Sequence, residues 1–211
     1  RRLERAMLGC DVVTHAAALK RIEVGEYDPG EMARTNVDGS RNALEAAIYA
    51  GVKRVVLISS DKAVAPRNCY GATKLVAERL FAAAPALSGH RMSSCIVRYG
   101  NVSGSTGSII PIWRGAGPHK MTDPECTRYW LFVKDAVTLV MLAIEGDSKL
   151  LIPELPAFRI GDLAEAMNVS PEIIGLPAGE KRHETMDGIT DSSQARRMTI
   201  DELKEALNGV A

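Results

Sequence analysis

The stretch "KRVVLISS", residues 53–60, sets Val55, Val56, Leu57 and Ile58 in unbroken apolar succession. Side chains alternate between the two faces of a strand, so an unbroken apolar run is buried on both. A parallel sheet demands this, because helices cover each of its faces. A chain with such a strand needs helices between its strands, and the flanking sequence supplies them. "DVVTHAAA" is a short β-branched run. Residues 29–51 then place Ala33, Val37, Leu44, Ala47 and Ile48 near a 3.6-residue period, with Gly51 as the expected C-cap. Residues 69 to about 84 form an alanine-rich helical pattern, and "SSCIVRYGNV" reads as another strand ending in Gly and Asn. Successive βα units predict an α/β fold with a doubly wound parallel sheet. After Gly104 the rhythm loosens into "GSTGSIIPIW", the loop "RGAGPHKMTDPE", a strand "TRYWLFV", a helix over 134–145 and short pieces as far as "IDELKEAL". The expected division is a sheet domain over residues 1–104 and a smaller C-terminal part over residues 105–211.

In an open parallel sheet, ligands bind beyond the carboxyl ends of the strands, and each polar cluster of this chain falls at such an end. "THAAALK" closes the first strand, "SSDKA" the second and "RYGNV" the third. Tyr70 and Lys74 lie four apart on one helix and share a face. A lysine ammonium beside a phenol stabilises phenolate, which makes the tyrosine a usable base for an alcohol proton. Tyr49 and Lys53 have the same spacing, but Gly51 between them should end the helix and point the two apart. Asp61 and Lys62 read alone as a solvated pair after a strand, and Ser60 as a turn cap; their place between "LISS" and "YGATK" favours a working site. Trp113, Trp130 and the methionines read as core.

Several function classes are disfavoured. Lys+Arg and Asp+Glu balance at 26 each, so no net field draws the chain to nucleic acid or an anionic membrane. Cys10, Cys69, Cys95 and Cys126 form no CxxC and lie scattered, which predicts reduced thiols in a cytoplasmic protein and no metal site. No apolar run approaches a membrane span, and "RRLERAMLGCDVV" lacks a signal-peptide layout. The sequence does not begin with Met and reads as part of a longer chain.

Taken together, "HAAALK", "TNVDGSRNALEAA", "LISSDKAVAPRNCYGATKLVAERL", "VRYGNVSGSTGSIIP", "TRYW" and "GEKRHE" resemble the extended short-chain dehydrogenase/reductase family. Within it they resemble the UDP-N-acetylglucosamine 4,6-dehydratases of flagellin-glycan and capsule biosynthesis. The resemblance implies a Rossmann-like domain and a nucleotide-sugar-binding C-terminal part. It implies NADP, or else NAD, tightly bound and recycled, with a UDP-sugar as substrate and a homo-oligomer as the assembly. By the same resemblance Tyr70 takes the 4-hydroxyl proton, Lys74 supports it and holds the ribose, and Ser60 bonds the substrate hydroxyl. Lys62 then removes the carbon-5 proton and Asp61 protonates the departing 6-hydroxyl. His15, Ala16, Ala17, Ala18, Asn36, Ser59, Tyr99 and Asn101 would line the cofactor. Lys20, Asn101, Arg128 and Glu180 would meet the nucleotide-sugar, Arg128 by its fixed fork of donors. His15 reads as a strand-end residue rather than an acid or base. The chain departs from the pattern at Thr106, Pro177 and Ala178, and nothing before Leu8 matches the family's Gly-rich turn. The implied activity is a nucleotide-sugar 4,6-dehydratase. The alternatives are a 4-epimerase or other oxidoreductase of the same fold, and a non-catalytic dinucleotide-binding regulator.

Overall fold

A computed structural model describes residues 1–210. In chain order the elements are α1 (Arg2–Met7), β1 (Val12–His15), α2 (Ile22–Tyr27), α3 (Pro29–Ala33), a π-helical segment (Arg34–Asp38), α4 (Gly39–Ala50), β2 (Arg54–Ile58), a 3-10 turn (Asp61–Ala63), α5 (Cys69–Ala82), α6 (Ala84–Leu87) and β3 (Ser93–Val97). There follow β4 (Asn101–Val102), α7 (Ile109–Arg114), β5 (Lys120–Met121), β6 (Thr127–Leu131), α8 (Val133–Glu145), β7 (Leu150–Leu151), β8 (Ala157–Arg159), α9 (Ile160–Ala166), β9 (Glu172–Ile173) and α10 (Ile200–Asn208).

The chain divides into two compact units. The first comprises Arg1–Tyr99 and Val137–Pro153, the second Gly100–Ala136 and the chain from Glu154 onward. In the first, β1, β2, β3 and β7 form a parallel sheet in that order, with Val13 level with Val55, Val56 with Cys95 and Val97 with Leu151. The apolar run of β2 alternates as expected. Val55 and Leu57 pack with Leu44, Ala47, Ala77 and Phe81 from α4 and α5, while Val56 packs on the other face with Cys95, Leu139 and Ala143. Arg54 reaches from β2 to the C-terminal turn of α8, its Nε donating to the Ala143 carbonyl (2.7 Å) and its Nη2 to that of Ser148 (3.1 Å).

This packing corrects the division at residue 104. β7 pairs with β3, and residues from Val137 onward in α8 cover the sheet, so Val137–Pro153 returns to the first unit. "SSCIVRYGNV" is likewise two strands. β3 ends at Val97, and Asn101 and Val102 pair with Trp130 and Leu131 of β6 in the second unit. The helix expected over 29–51 is helical throughout but contains the π-helical segment, and α2 precedes it. It ends as expected at Gly51, whose φ of 74° is the left-handed C-cap that glycine adopts freely.

In the second unit, β6 lies between β4, parallel to it, and β8, antiparallel; β5 and β9 pair separately. Its core gathers Ile110, Trp113, Trp130, Phe158, Leu163 and Leu203, with the Trp130 ring edge-to-face on Phe132 and Phe158. Both tryptophans are core, as are six methionines; Met141 instead lies exposed on α8. The four cysteines are free thiols. Among the described residues no helix is long and apolar enough to cross a membrane, and no cluster of His, Cys, Asp or Glu could hold a metal ion.

Candidate active site

At the carboxyl end of β2 the chain turns sharply, and Ser60 makes the turn. Extended at φ −154°, it caps the 3-10 segment by accepting the Lys62 N–H at its hydroxyl (3.2 Å). The same hydroxyl donates to Asp61 Oδ1 (2.8 Å). Asp61 has no exposed surface. Its N–H donates to the Tyr99 carbonyl (3.1 Å), and its Oδ1 also receives Lys62 Nζ (3.1 Å). Its other carboxylate oxygen, Oδ2, is buried with no hydrogen-bond partner. Buried carboxylate oxygens are nearly always bonded, so an orphaned one marks a functional site or a group awaiting a donor. The Asp-Lys pair is therefore no solvated surface pair: the Lys62 side chain is only 20% exposed.

Asn68 caps α5 by accepting the Gly71 N–H (2.8 Å), which sets Tyr70 in the helix's first turn. A Cβ at Gly71 would collide with the Lys62 carbonyl and touch Pro66, so glycine permits this turn to rest directly on the backbone of Lys62. The Ser60 hydroxyl, bonded to the carboxylate, also lies near enough to the Tyr70 phenol to favour its ionised form. Burial pushes the Tyr70 pKa above its ordinary value of 10.0. The Lys62 ammonium and the Ser60 hydroxyl act against burial, and the Asp61 charge acts with it. Lys74, expected to support the phenol, is aimed elsewhere. Its Nζ donates to the Ile58 carbonyl at 2.5 Å. Burial lowers its own pKa from 10.5 to about 8, against the nearby Glu78 carboxylate. Tyr49 and Lys53 diverge as expected: Tyr49 is exposed at the end of α4, and Lys53 pairs with Asp11 (2.8 Å).

The loop after β1 is held by Asn36. Its Oδ1 accepts the Leu19 N–H (2.7 Å), and its Nδ2 donates to the Leu19 carbonyl (2.9 Å) and to Thr73 Oγ1 (3.0 Å) on α5. Asn36 reaches inward from the π-helical segment, an irregularity often found at functional sites. Its side chain thus positions the "AAALK" loop. Ala16 and Ala17 are exposed there, and burial lowers the pKa of Lys20. His15 stacks on Phe81, with ring centroids 5.7 Å apart, and its Nε2 lies 3.1 Å from the Ser40 hydroxyl. Burial, with Lys74 second, lowers its pKa below 6.5, so the ring is neutral at pH 7. Ser59 turns its hydroxyl to Glu78 (2.5 Å). Tyr99 is near enough to Tyr70 to raise the pKa of its own phenol, behind the larger effect of burial.

The remaining candidates lie in the second unit. Arg128 and Glu180 are brought together as an ion pair (3.2 Å), with Arg128 Nη1 also donating to the carbonyls of Thr127 (2.8 Å) and Arg182 (3.1 Å). Asn101 has a buried Oδ1 with no hydrogen-bond partner. Sequence reasoning missed Glu78 and Arg98, whose ion pair (2.6 Å) joins a buried carboxylate to a partly buried guanidinium one helical turn beyond Lys74. The available signal was the spacing of Tyr70, Lys74 and Glu78 by single helical turns.

Residues 1–204 match the family described as "Polysaccharide biosynthesis protein". Over 201 residues the chain is 41% identical to a UDP-N-acetylglucosamine 4,6-dehydratase (inverting) of Campylobacter jejuni, the match covering 90% of this chain and 60% of the relative. It is 37% identical over 208 residues to a UDP-glucose 4-epimerase of Rickettsia canadensis, covering 92% of this chain and 60% of that protein. The chain thus spans about 60% of the length of these curated relatives. Among solved structures, DesIV, a dTDP-glucose 4,6-dehydratase from Streptomyces venezuelae with NAD and TYD bound, superposes with a TM-score of 0.80 at 20% identity, covering 98% of this chain and 75% of that one. That likeness places the fold among Rossmann-type α/β proteins.

Proposed function

The chain belongs to the polysaccharide biosynthesis protein family, and from that premise we propose that it carries the catalytic residues of a UDP-N-acetylglucosamine 4,6-dehydratase. The observation that carries this reading is the 3-10 turn after β2. There a fully buried Asp61 has one oxygen held by Ser60 and Lys62 and the other unpartnered, beside the Tyr70 phenol on which Ser60, Lys62 and Asp61 all act.

The residues fit the nicotinamide-ribose half of a dinucleotide. Ala16 and Ala17 are exposed and carry no side chain beyond Cβ, and Lys74 has ammonium hydrogens beyond the one given to Ile58. We place NADP before NAD; the NAD bound in the Streptomyces structure supports the dinucleotide class. When bound, the dinucleotide accepts a hydride from the substrate and later returns it.

Tyr70 takes the carbon-4 hydroxyl proton as that carbon becomes a ketone, and the ketone makes the carbon-5 proton acidic. Lys62 must be neutral to remove it, and Asp61 must carry a proton to release the 6-hydroxyl as water. One proton passed from Lys62 Nζ to Asp61 Oδ1 along their 3.1 Å contact arms both groups at once. The carbon-5 proton then goes to Lys62 while the Asp61 proton leaves with the oxygen, and the ion pair is restored. A carbon–carbon double bond forms between carbons 5 and 6; hydride returns to carbon 6, carbon 5 takes a proton from solvent, and Tyr70 gives up to solvent the proton it took from the 4-hydroxyl. In the second unit Arg128 would meet the diphosphate. The reading implies a cytoplasmic homo-oligomer.

The test gives the full protein and its Lys62→Ala variant UDP-N-acetylglucosamine in heavy water. The parent should yield a 4-keto-6-deoxy sugar deuterated at carbon 5. The variant should reduce its nicotinamide and stall, with product formation down about a hundredfold or more. The Rickettsia canadensis relative favours a second reading, 4-epimerisation. A product inverted at carbon 4 that keeps its 6-hydroxyl, with Lys62→Ala as active as the parent, would establish that reading instead.

A further inference from the structure

The face of α5 that carries Tyr70 and Lys74 continues one turn further to Glu78. Glu78 is 4% exposed and fully engaged. Ser59 Oγ donates to its Oε1 (2.5 Å), Arg98 Nε donates to Oε1 (3.0 Å), and Arg98 Nη2 donates to Oε2 (2.6 Å). These partners come from two strand ends. Ser59 follows Ile58, whose carbonyl receives Lys74; Arg98 follows Val97, whose carbonyl accepts the Ser59 N–H (2.8 Å). One carboxylate therefore ties the ends of β2 and β3 to the helix bearing Lys74. A buried ion pair adds little net stability over apolar residues of similar volume, so its presence behind a buried lysine invites a positional explanation.

We propose that Glu78 is a positioning residue of this site: its carboxylate fixes the strand-end carbonyl that anchors Lys74, and it is the counter-charge that keeps Lys74 an ammonium. The charged and titratable groups around Lys74 are His15 at the end of β1, Tyr70 one turn earlier on α5, Glu78 one turn later, and Arg98 behind Glu78. His15 is held neutral, which leaves Glu78 as the anion opposing the burial that lowers Lys74. The role rests on reading Lys74 as a working lysine, but its measurement needs neither substrate nor cofactor.

The test is a titration of Lys74 by NMR in protein labelled with carbon-13 at lysine Cε, the signal assigned by its loss in Lys74→Arg. Glu78→Gln keeps the shape and removes the charge, and it should lower the Lys74 midpoint by about one pH unit or more. Arg98→Gln leaves the Glu78 charge without its arginine and should move the midpoint upward. A merely structural pair would lower the urea midpoint of both variants and leave Lys74 where it is. Shifts under about 0.3 unit in both variants, or shifts of the same sign, overturn the proposal. Should Glu78→Gln not fold, Arg98→Gln decides alone, and an unmoved or lowered Lys74 overturns it. Shifts of the expected signs in a protein with no dehydratase activity would sink the proposed function and leave this role standing.

Discussion

Tyr70 is asked to lose a proton in a place where burial opposes the loss. The groups that help are Lys62, by its charge, and the nearby Ser60 hydroxyl, both from the turn after β2. Tyr70→Phe keeps the ring's packing and removes the hydroxyl, so turnover in the full protein should fall about a hundredfold or more with substrate affinity nearly intact. Steady-state kinetics check it, and near-parental turnover would remove the oxidation step from the proposed function. Tyr49→Phe, at an exposed phenol with the same spacing to a lysine, is the control and should change nothing. At this scale the sequence showed which residue types gather, because a strand end and a four-residue helical spacing are local facts. It did not show aim. That Lys74 points to Ile58, that Glu78 meets Arg98 twenty residues on, and that Arg128 pairs with Glu180 all depend on tertiary placement.

At the scale of elements, the 3-10 turn and α5 behave as one piece, because Gly71 lets the first helical turn rest on the Lys62 backbone. Gly71→Ala must push that carbonyl away, and overpacking of this kind costs about 1–3 kcal/mol, measurable as a lower urea midpoint. The displacement falls on Lys62, so carbon-5 deuteration should drop more than nicotinamide reduction. Equal losses in both would mean that Gly71 serves packing alone. Gly39→Ala is the contrasting change. A Cβ there meets only the Arg34 carbonyl, at 3.9 Å, in a helical backbone, and the substitution should be neutral or stabilise by about 0.4–1 kcal/mol. β2 was legible because an unbroken apolar run admits few alternatives. The π-helical segment was not, since the demand it meets, aiming Asn36 at Leu19 and Thr73, comes from other parts of the chain. The break between β3 and β4 was equally hidden, because "IVRYGNV" keeps its strand-like composition across the point where Asn101 takes a partner in another sheet.

For the molecule as a whole, the informative feature is that the chain leaves the first unit after Tyr99 and returns to it from Val137 to Pro153. No local pattern announces such a return. α8 reads as a further helix and β7 is lost among the short pieces after it, and only pairing with β3 assigns them. Arg54 is the residue that fastens the returning segment. It is 8% exposed, its Nε caps the last turn of α8 at the Ala143 carbonyl, its Nη2 takes the Ser148 carbonyl, and its Nη1 donates to Ser93 Oγ (3.0 Å) on β3. A cation at a helix C-terminus meets both the orphaned carbonyls and the negative end of the dipole. Arg54→Met preserves the length and apolar stem and removes every one of these donors, leaving at the buried Ala143 a carbonyl without its charged donor. Charge-assisted bonds of this kind contribute about 1.5–3 kcal/mol, so the urea midpoint should fall by a corresponding amount with an unchanged slope. Hydrogen exchange should locate the loss, with amides of α8 and β7 losing protection before those of β1 and β2. A change within about 0.5 kcal/mol, the range of ordinary surface substitutions, would show that apolar packing of Leu139 and Ala143 on Val56 holds the segment without Arg54.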